Sequence, residues 1–321
     1  MDSYFDSRAI GSSILGQVIV RSEPLEICLD LATVTVKPTA FMEDGKVFED
    51  LVEQEFSGKD IFDNKYFKSD ISKIPEYKGD RTDIRQILEI LDNPQEEQET
   101  AIESAYIRKA DGSLHGSYKQ RHRCLDQIRA HDYRRPIPKP FWKKLWKMSD
   151  RTKAYPFEIN GHTVSVAEWM ASYVDVEFQV EYFWKHESGA ECRAKFDMVW
   201  IWECEEKTYA MPFDLKVTAN WPSFESNWKY KYIWQSKHYM EGFVRWCVEN
   251  GCIPHPQIWY LIQESKEPFI THMRALSVRE LDNLTEPYDE AILSMWGWIE
   301  AGRPVKGFVE QQTVDRWGRT E

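Results

Sequence analysis

Residues 174–218 read VDVEFQVEYFWKHESGAECRAKFDMVWIWECEEKTYAMPFDLKVT. At the start of this stretch apolar and polar residues alternate. Val174, Val176, Phe178, Val180, Tyr182 and Trp184 fall on one face of a strand, and Asp175, Glu177, Gln179 and Glu181 on the other. Ser188-Gly189 marks a turn, and Cys192–Trp202 is a second strand rich in β-formers. Glu203–Lys207 is a polar hairpin turn and Tyr209–Thr218 a third strand. Side chains alternate along a strand, so Asp214 and Lys216 share a face while Leu215 points into the core. The separation of 17 residues from Asp197 to Asp214 fits two strands and a turn, which brings Asp197 alongside Asp214.

Working outward, Asn227–Asn250 reads as a long helix ending at Gly251. Gln257–Gln263 is a fourth strand, Phe269–Ala275 a fifth, and Leu281–Ala301 is largely helical up to Gly302. Upstream, an apolar stretch at Ile14–Val20 and a strand at Ala32–Val36 precede Gly45. A helix follows, with Val47, Phe48, Leu51, Val52 and Phe56 on its apolar stripe and Glu49, Asp50 and Glu53 off it. Residues 57–107 are polar and acidic, with a helix at Thr82–Leu91 stopped before Pro94. Pro136, Pro138 and Pro140 at alternate positions impose an extended segment before a Trp-rich helix at Phe141–Met148.

The order strand, strand, strand, helix, strand predicts an α/β core with a central mixed sheet flanked by helices, plus a helical basic insertion. One compact catalytic unit is expected. It comprises an N-terminal segment with the first core helix (1–56), an acidic then basic insertion (57–155), a core (156–275) and a C-terminal helical cap (276–321).

The composition of the 321 residues, 42% hydrophobic and 29% charged, is that of a soluble globular chain. It excludes a collagen-like fibre and a mostly disordered chain. The longest apolar run, Met198–Trp202, is far short of the roughly 20 residues of a membrane span. The N-terminus is acidic with no apolar region of a secretory leader. Six cysteines without paired CxxC spacing read as reduced thiols of a cytoplasmic protein, not as a disulfide, zinc or iron–sulfur framework.

The net charge of −12 conceals a basic segment. Residues 108–153 carry 14 basic and 4 acidic side chains. Arg134, Arg135, Lys143, Lys144 and Lys147 interleave there with Phe141, Trp142 and Trp146. Cations beside aromatic faces suit phosphates and bases, so these five residues are candidate DNA contacts. The alternative is a solvated basic helix face with its Trp residues in the core.

The chemistry concentrates at Asp197, Asp214 and Lys216. Two carboxylates at one place repel unless a cation lies between them. Mg²⁺ suits such oxygen donors, and the Leu215 carbonyl is a further candidate ligand. Lys216 is placed to orient or deprotonate a bound water, or to stabilise charge building on a phosphate. Gln235 and Tyr239 stand four apart on one face of the following helix. No P-loop, dinucleotide fingerprint, nucleophile elbow or HxxxH pair occurs.

Together these residues resemble the PD-(D/E)XK nuclease superfamily, in its RecB-like and phage-exonuclease branch, nearest to RecE-type (exonuclease VIII-like) proteins. The strings that resemble the family are Pro38–Phe48, Cys192–Asp197, Asp214-Leu215-Lys216-Val217-Thr218 and Tyr230–Gly242. The resemblance spans about residues 38–56 and 174–317, including Trp317, and not 57–155. RecE-type proteins carry histidine where Glu49 stands.

The resemblance implies a restriction-endonuclease-like core and a Mg²⁺- or Mn²⁺-dependent deoxyribonuclease acting on duplex ends. It also implies a homo-oligomer and a single-strand annealing partner in phage recombination. In the roles it implies, Asp197, Asp214, Glu49 and Glu181 surround the metal, Lys216 is the catalytic lysine, and Gln235 and Tyr239 contact the scissile strand. His238 reads as structural. Two alternatives stay open: an endonuclease or repair nuclease of the same chemistry, and a non-catalytic DNA-binding module on the same fold.

Overall fold

The structure, a computed structural model, describes residues 9–12, 15, 40–73, 95–159 and 162–300. The strand expected at Ala32–Val36, the helix expected at Thr82–Leu91, most of Ile14–Val20 and Trp317 lie outside them. Two compact units form: Met1–Glu49 with Asp150–Glu321, and Asp50–Ser149.

In chain order, strand β1 (Ile10–Gly11) is followed by α1 (Ala40–Ser57), α2 (Ile61–Lys65), β2 (Tyr66–Ser69), α3 (Gln95–Ala105) and α4 (Lys119–Ala130). Then come β3 (Arg135–Pro138), α5 (Lys139–Lys153), β4 (Pro156–Ile159), β5 (His162–Ser165) and α6 (Val166–Tyr173). The long strands β6 (Asp175–Lys185), β7 (Glu191–Cys204) and β8 (Lys207–Thr218) lead to α7 (Trp221–Asn227). A π-helical turn, Trp228–Tyr232, joins it to α8 (Ile233–Glu249). The described chain ends with β9 (Ile253–Pro254), β10 (Trp259–Glu264), β11 (Thr271–Ala275), α9 (Val278–Asn283) and α10 (Thr285–Glu300).

The first unit is built on a seven-stranded sheet ordered β1-β7-β8-β10-β11, with β6 on β7 and β9 on β8. Pairs β6/β7, β7/β8 and β10/β11 are antiparallel, whereas β1/β7, β8/β9 and β8/β10 are parallel. This is the mixed α/β architecture the sequence predicts. Parallel β8 and β10 require a crossover, supplied by α7, the π turn and α8. Asn220 caps α7 by accepting from Ser223 N–H at 3.0 Å. Gly251 follows α8 with φ +68°, a left-handed conformation that ends the helix. The β7–β8 hairpin is tighter than expected: Cys204 pairs with Lys207, and only Glu205 and Glu206, both at positive φ, form the turn.

The regular alternation predicted for the first strand is broken. Val180, Tyr182 and Trp184 join the core cluster that also holds Phe196, Tyr239 and Phe243. Val176 and Phe178 instead stand opposite Trp200 and Met198, and Trp200 packs on Phe157 and Phe213. Residues directly opposite share a face, so the inward set changes parity. Gln179, at φ +53°, turns the strand there. On β7 the same cluster takes Cys192, Ala194 and Phe196, then Val199 and Ile201. Parity therefore switches on both strands at the level of Asp197.

Helix α8 covers this cluster closely. A Cβ on Gly242 would lie 2.7 Å from Cζ3 of Trp184. The indole is 6% exposed, stacked on Tyr182 and set against His238. Alanine in a helix gains roughly 1 kcal/mol over glycine, but overpacking costs roughly 1–3 kcal/mol. Contact below 3 Å puts the cost at the upper end. Gly242→Ala is expected to lower the urea midpoint by a net 1–2 kcal/mol equivalent, roughly; a rise would show that the indole swings aside.

In the second unit β2 and β3 pair in parallel; Pro136 and Pro138 lie in the extended β3 as expected, whereas Pro140 falls in the first turn of α5, where a missing N–H leaves no helical bond unmade. Ile102, Leu125 and Ile128 pack with Phe67 as its core. Much of the basic charge is internally engaged. Arg129 bonds Glu99 at 2.7 Å and Glu103 at 3.0 Å, Arg123 pairs with Asp70, and buried Arg121 donates to the Ala105 carbonyl. Arg134 donates to the carbonyls of His131 and Asp63. Arg135 is half-buried. Lys143 and Lys147 are exposed, and Lys144 lies over the Phe141 ring. Trp142 packs between Phe62 and Trp146. The five described cysteines are free, and no described helix is long and apolar enough to cross a membrane.

Candidate active site

Asp214 and Lys216 lie on the α8 side of β8, where Ala210 enters the core cluster. The β7–β8 ladder runs from Cys204↔Lys207 to Met198↔Phe213 and stops one rung before Asp197 and Asp214. On its other edge β8 stays paired with β10, Tyr260 opposite Asp214 and Ile262 opposite Lys216. The two strands thus part at the two aspartates. Beyond the last rung, the Leu215 N–H donates to Asp197 Oδ2 at 2.7 Å. Asp197 is thereby held against β8, as the expected hairpin requires.

Asp214 is 1% exposed. Its Oδ2 accepts from Gln235 Nε2 at 2.7 Å. Its Oδ1 is taken by the Lys216 ammonium as an ion pair. Lys216 also donates to the Leu215 carbonyl at 3.3 Å. Burial, opposed by Lys216 and reinforced by Asp197, pushes the Asp214 carboxyl up to about 7. Glu49, on α1, is pushed up to about 8, by burial first and then by Asp197. Lys46 and Lys216 oppose that shift and Asp214 adds to it. Glu49 therefore belongs to the same charged group, although Lys46, at 3.5 Å, is its ion-pair partner.

Burial alone would lower the Lys216 pKa. The Asp214 and Asp197 carboxylates, with Tyr232 and Tyr239, outweigh it and hold the group well above its ordinary value. Lys216 is thus an ammonium at neutral pH. Of the roles considered for it, charge stabilisation matches this state and proton abstraction does not.

The remaining candidates are placed as follows. Gln235, from α8, is engaged by Asp214, which makes it a positioning residue for that carboxylate. Tyr239 is 7% exposed and edge-on to Phe196. Glu181 pairs with Lys195 across β6 and β7 at 2.8 Å, and its charge is not among the principal ones acting on Glu49, Asp214 or Lys216. His238 is fully buried between the Tyr288 hydroxyl (3.0 Å) and the Arg193 carbonyl (2.9 Å). Burial lowers its pKa to about 4, so it is a neutral structural group. Lys231, on the π turn, escaped the sequence reading; stepping back one turn from the Gln235–Tyr239 pair finds it.

Carboxylate and carbonyl oxygens are hard donors, and their mutual repulsion favours a cation, so the donor chemistry fits Mg²⁺ or Mn²⁺. Among the described residues no group of three His, Cys, Asp or Glu side chains converges in metal-holding geometry. In this arrangement the Lys216 ammonium supplies the positive charge beside Asp214.

No family model matches the chain, and no curated protein matches it. Among solved structures it is similar to that of a "putative exonuclease" from Eubacterium rectale, with a TM-score of 0.28 and 10% identity over 84% of this chain and 88% of that one.

Proposed function

We propose that this chain is a metal-dependent deoxyribonuclease that hydrolyses phosphodiester bonds, and that it acts as a recombination exonuclease of a phage or prophage. In this reading it resects duplex ends as a homo-oligomer and leaves single strands for an annealing partner. The observation that carries the proposal is the buried Asp214–Lys216 pair beside Asp197, with Glu49 in the same electrostatic group.

A divalent ion at these carboxylates would polarise the phosphate and supply a hydroxide-like nucleophile. Asp197, Asp214, Glu49 and the Leu215 carbonyl are the residues that would hold it. Gln235 fixes the rotamer of Asp214. Asp197 ties the released Leu215 N–H and so fixes the backbone between Asp214 and Lys216. The Lys216 ammonium offers a preorganised positive charge to the oxygens of the pentavalent phosphate.

The test uses linear end-labelled duplex and covalently closed circular duplex, each with Mg²⁺ and with EDTA. Stepwise release of nucleotides from linear DNA, Mg²⁺-dependent and absent on circles, is expected. Nicked circles would replace the exonuclease reading with an endonuclease, and no cleavage of either substrate would overturn the hydrolase reading.

A further inference from the structure

The stripe of α8 that meets the candidate site carries Gln235 and Tyr239. One helical step earlier on the same side is Lys231, giving a K-x-x-x-Q-x-x-x-Y series. Lys231 lies in the π-helical turn Trp228–Tyr232, which widens the backbone just before α8. Such single-turn widenings are frequent at functional sites, because they re-aim one side chain without breaking the helix.

Three observations set Lys231 apart from an ordinary surface lysine. Its side chain is exposed, whereas Gln235 and Tyr239 are buried. Its ammonium acts electrostatically on Asp214, and Asp214 and Lys216 act on it in return. Its own pKa is lowered, by partial desolvation first and then by the Lys216 ammonium. The turn lies over the site: its Tyr232 carbonyl accepts from the Tyr260 hydroxyl at 3.1 Å, Tyr260 stands opposite Asp214 on β10, and the Lys231 ammonium lies 5.5 Å from the Tyr232 ring. Lys216 is committed to Asp214, and Gln235 is bonded to the same carboxylate. Lys231 is the cation on this stripe that an incoming anion meets from the solvent side.

We propose that Lys231 binds a backbone phosphate of the nucleic-acid strand that enters beside Asp214 and Lys216. The inference rests on the nuclease reading and deepens it by assigning a phosphate contact to the π turn. The ligand class is a phosphodiester anion. A single lysine reads charge rather than base identity, so the contact is independent of sequence. Lys231 acts at binding, before chemistry, and the lysine to which the chemistry is assigned is Lys216.

The test compares wild type with Lys231→Gln and Lys231→Arg on a fluorescent 20-base-pair duplex, by anisotropy in EDTA across a salt series and by cleavage with Mg²⁺. For Lys231→Gln we expect about tenfold weaker binding. The slope of log K against log salt should shrink by about one. KM should rise with kcat nearly unchanged, and Lys231→Arg should restore affinity. Wild-type affinity and slope in Lys231→Gln, with an active wild type, would overturn this inference alone. A wild type that neither binds nor cleaves DNA would overturn it together with the nuclease reading.

Discussion

Lys216→Ala is expected to lower kcat on end-labelled duplex by about 10²–10³-fold, the usual effect of removing one preorganised charge-stabilising group. Lys216 is held protonated by two carboxylates, so its positive charge is in place before substrate arrives. Because its pKa is well above the ordinary lysine value, the rate of the wild type should show no descending limb from lysine deprotonation through pH 9. Lys216→Ala also leaves Asp214 buried without its ammonium. That carboxyl, already raised by burial, then takes up a proton instead of remaining charged. Urea denaturation run beside the kinetics separates this structural effect from the catalytic one. A variant that folds and retains half of the wild-type rate would remove Lys216 from the chemistry.

The second large effect concerns pH and Glu49. Its folded pKa of about 8 lies above the ordinary carboxyl value of 4.5. Between those values the folded chain binds more protons than the unfolded chain. Stability without divalent ions must therefore fall as pH rises through this window, and level off above the folded pKa. One group contributes at most about 1.4 kcal/mol per pH unit. Asp214, also raised, acts in the same direction. The melting temperature in EDTA should drop from pH 6 to pH 8.5, and Glu49→Gln should flatten the drop because its amide does not ionise. Parallel curves for the two proteins would place Glu49 outside the charged group. Adding Mg²⁺ should raise the wild-type melting temperature most at the alkaline end, where the carboxylates are ionised.

The sheet was legible because its signals are local. Apolar alternation, Ser188-Gly189 and the polar Glu203–Lys207 turn set three strands and their hairpins. The spacing of Asp197 and Asp214 then fixed their meeting. The parity switch was not legible. Phe196, Met198, Val199 and Trp200 are all apolar, so their stretch serves either face, and nothing in the string marks Gln179 for positive φ. The commitment of the arginines was hidden for another reason. Arg129 and Arg123 pair with Glu99, Glu103 and Asp70, which are 26 to 53 residues away in the chain. A count of charge by segment separates such partners. Gln235 was found by its spacing from Tyr239, but its partner was not, because a helix-face pattern does not say which strand lies beneath.

Asp197 has a duty that outlasts any chemistry. Its carboxylate satisfies a main-chain N–H at the fork between two strands, and an orphaned buried amide costs roughly 1–3 kcal/mol. The backbone at the fork would therefore keep Asp197, or an acceptor of its shape, whether or not the proposed hydrolysis is under selection, whereas Lys216 has no such main-chain duty. Under the proposed function, a lineage that lost the activity would show the loss first at the lysine and last at the aspartate.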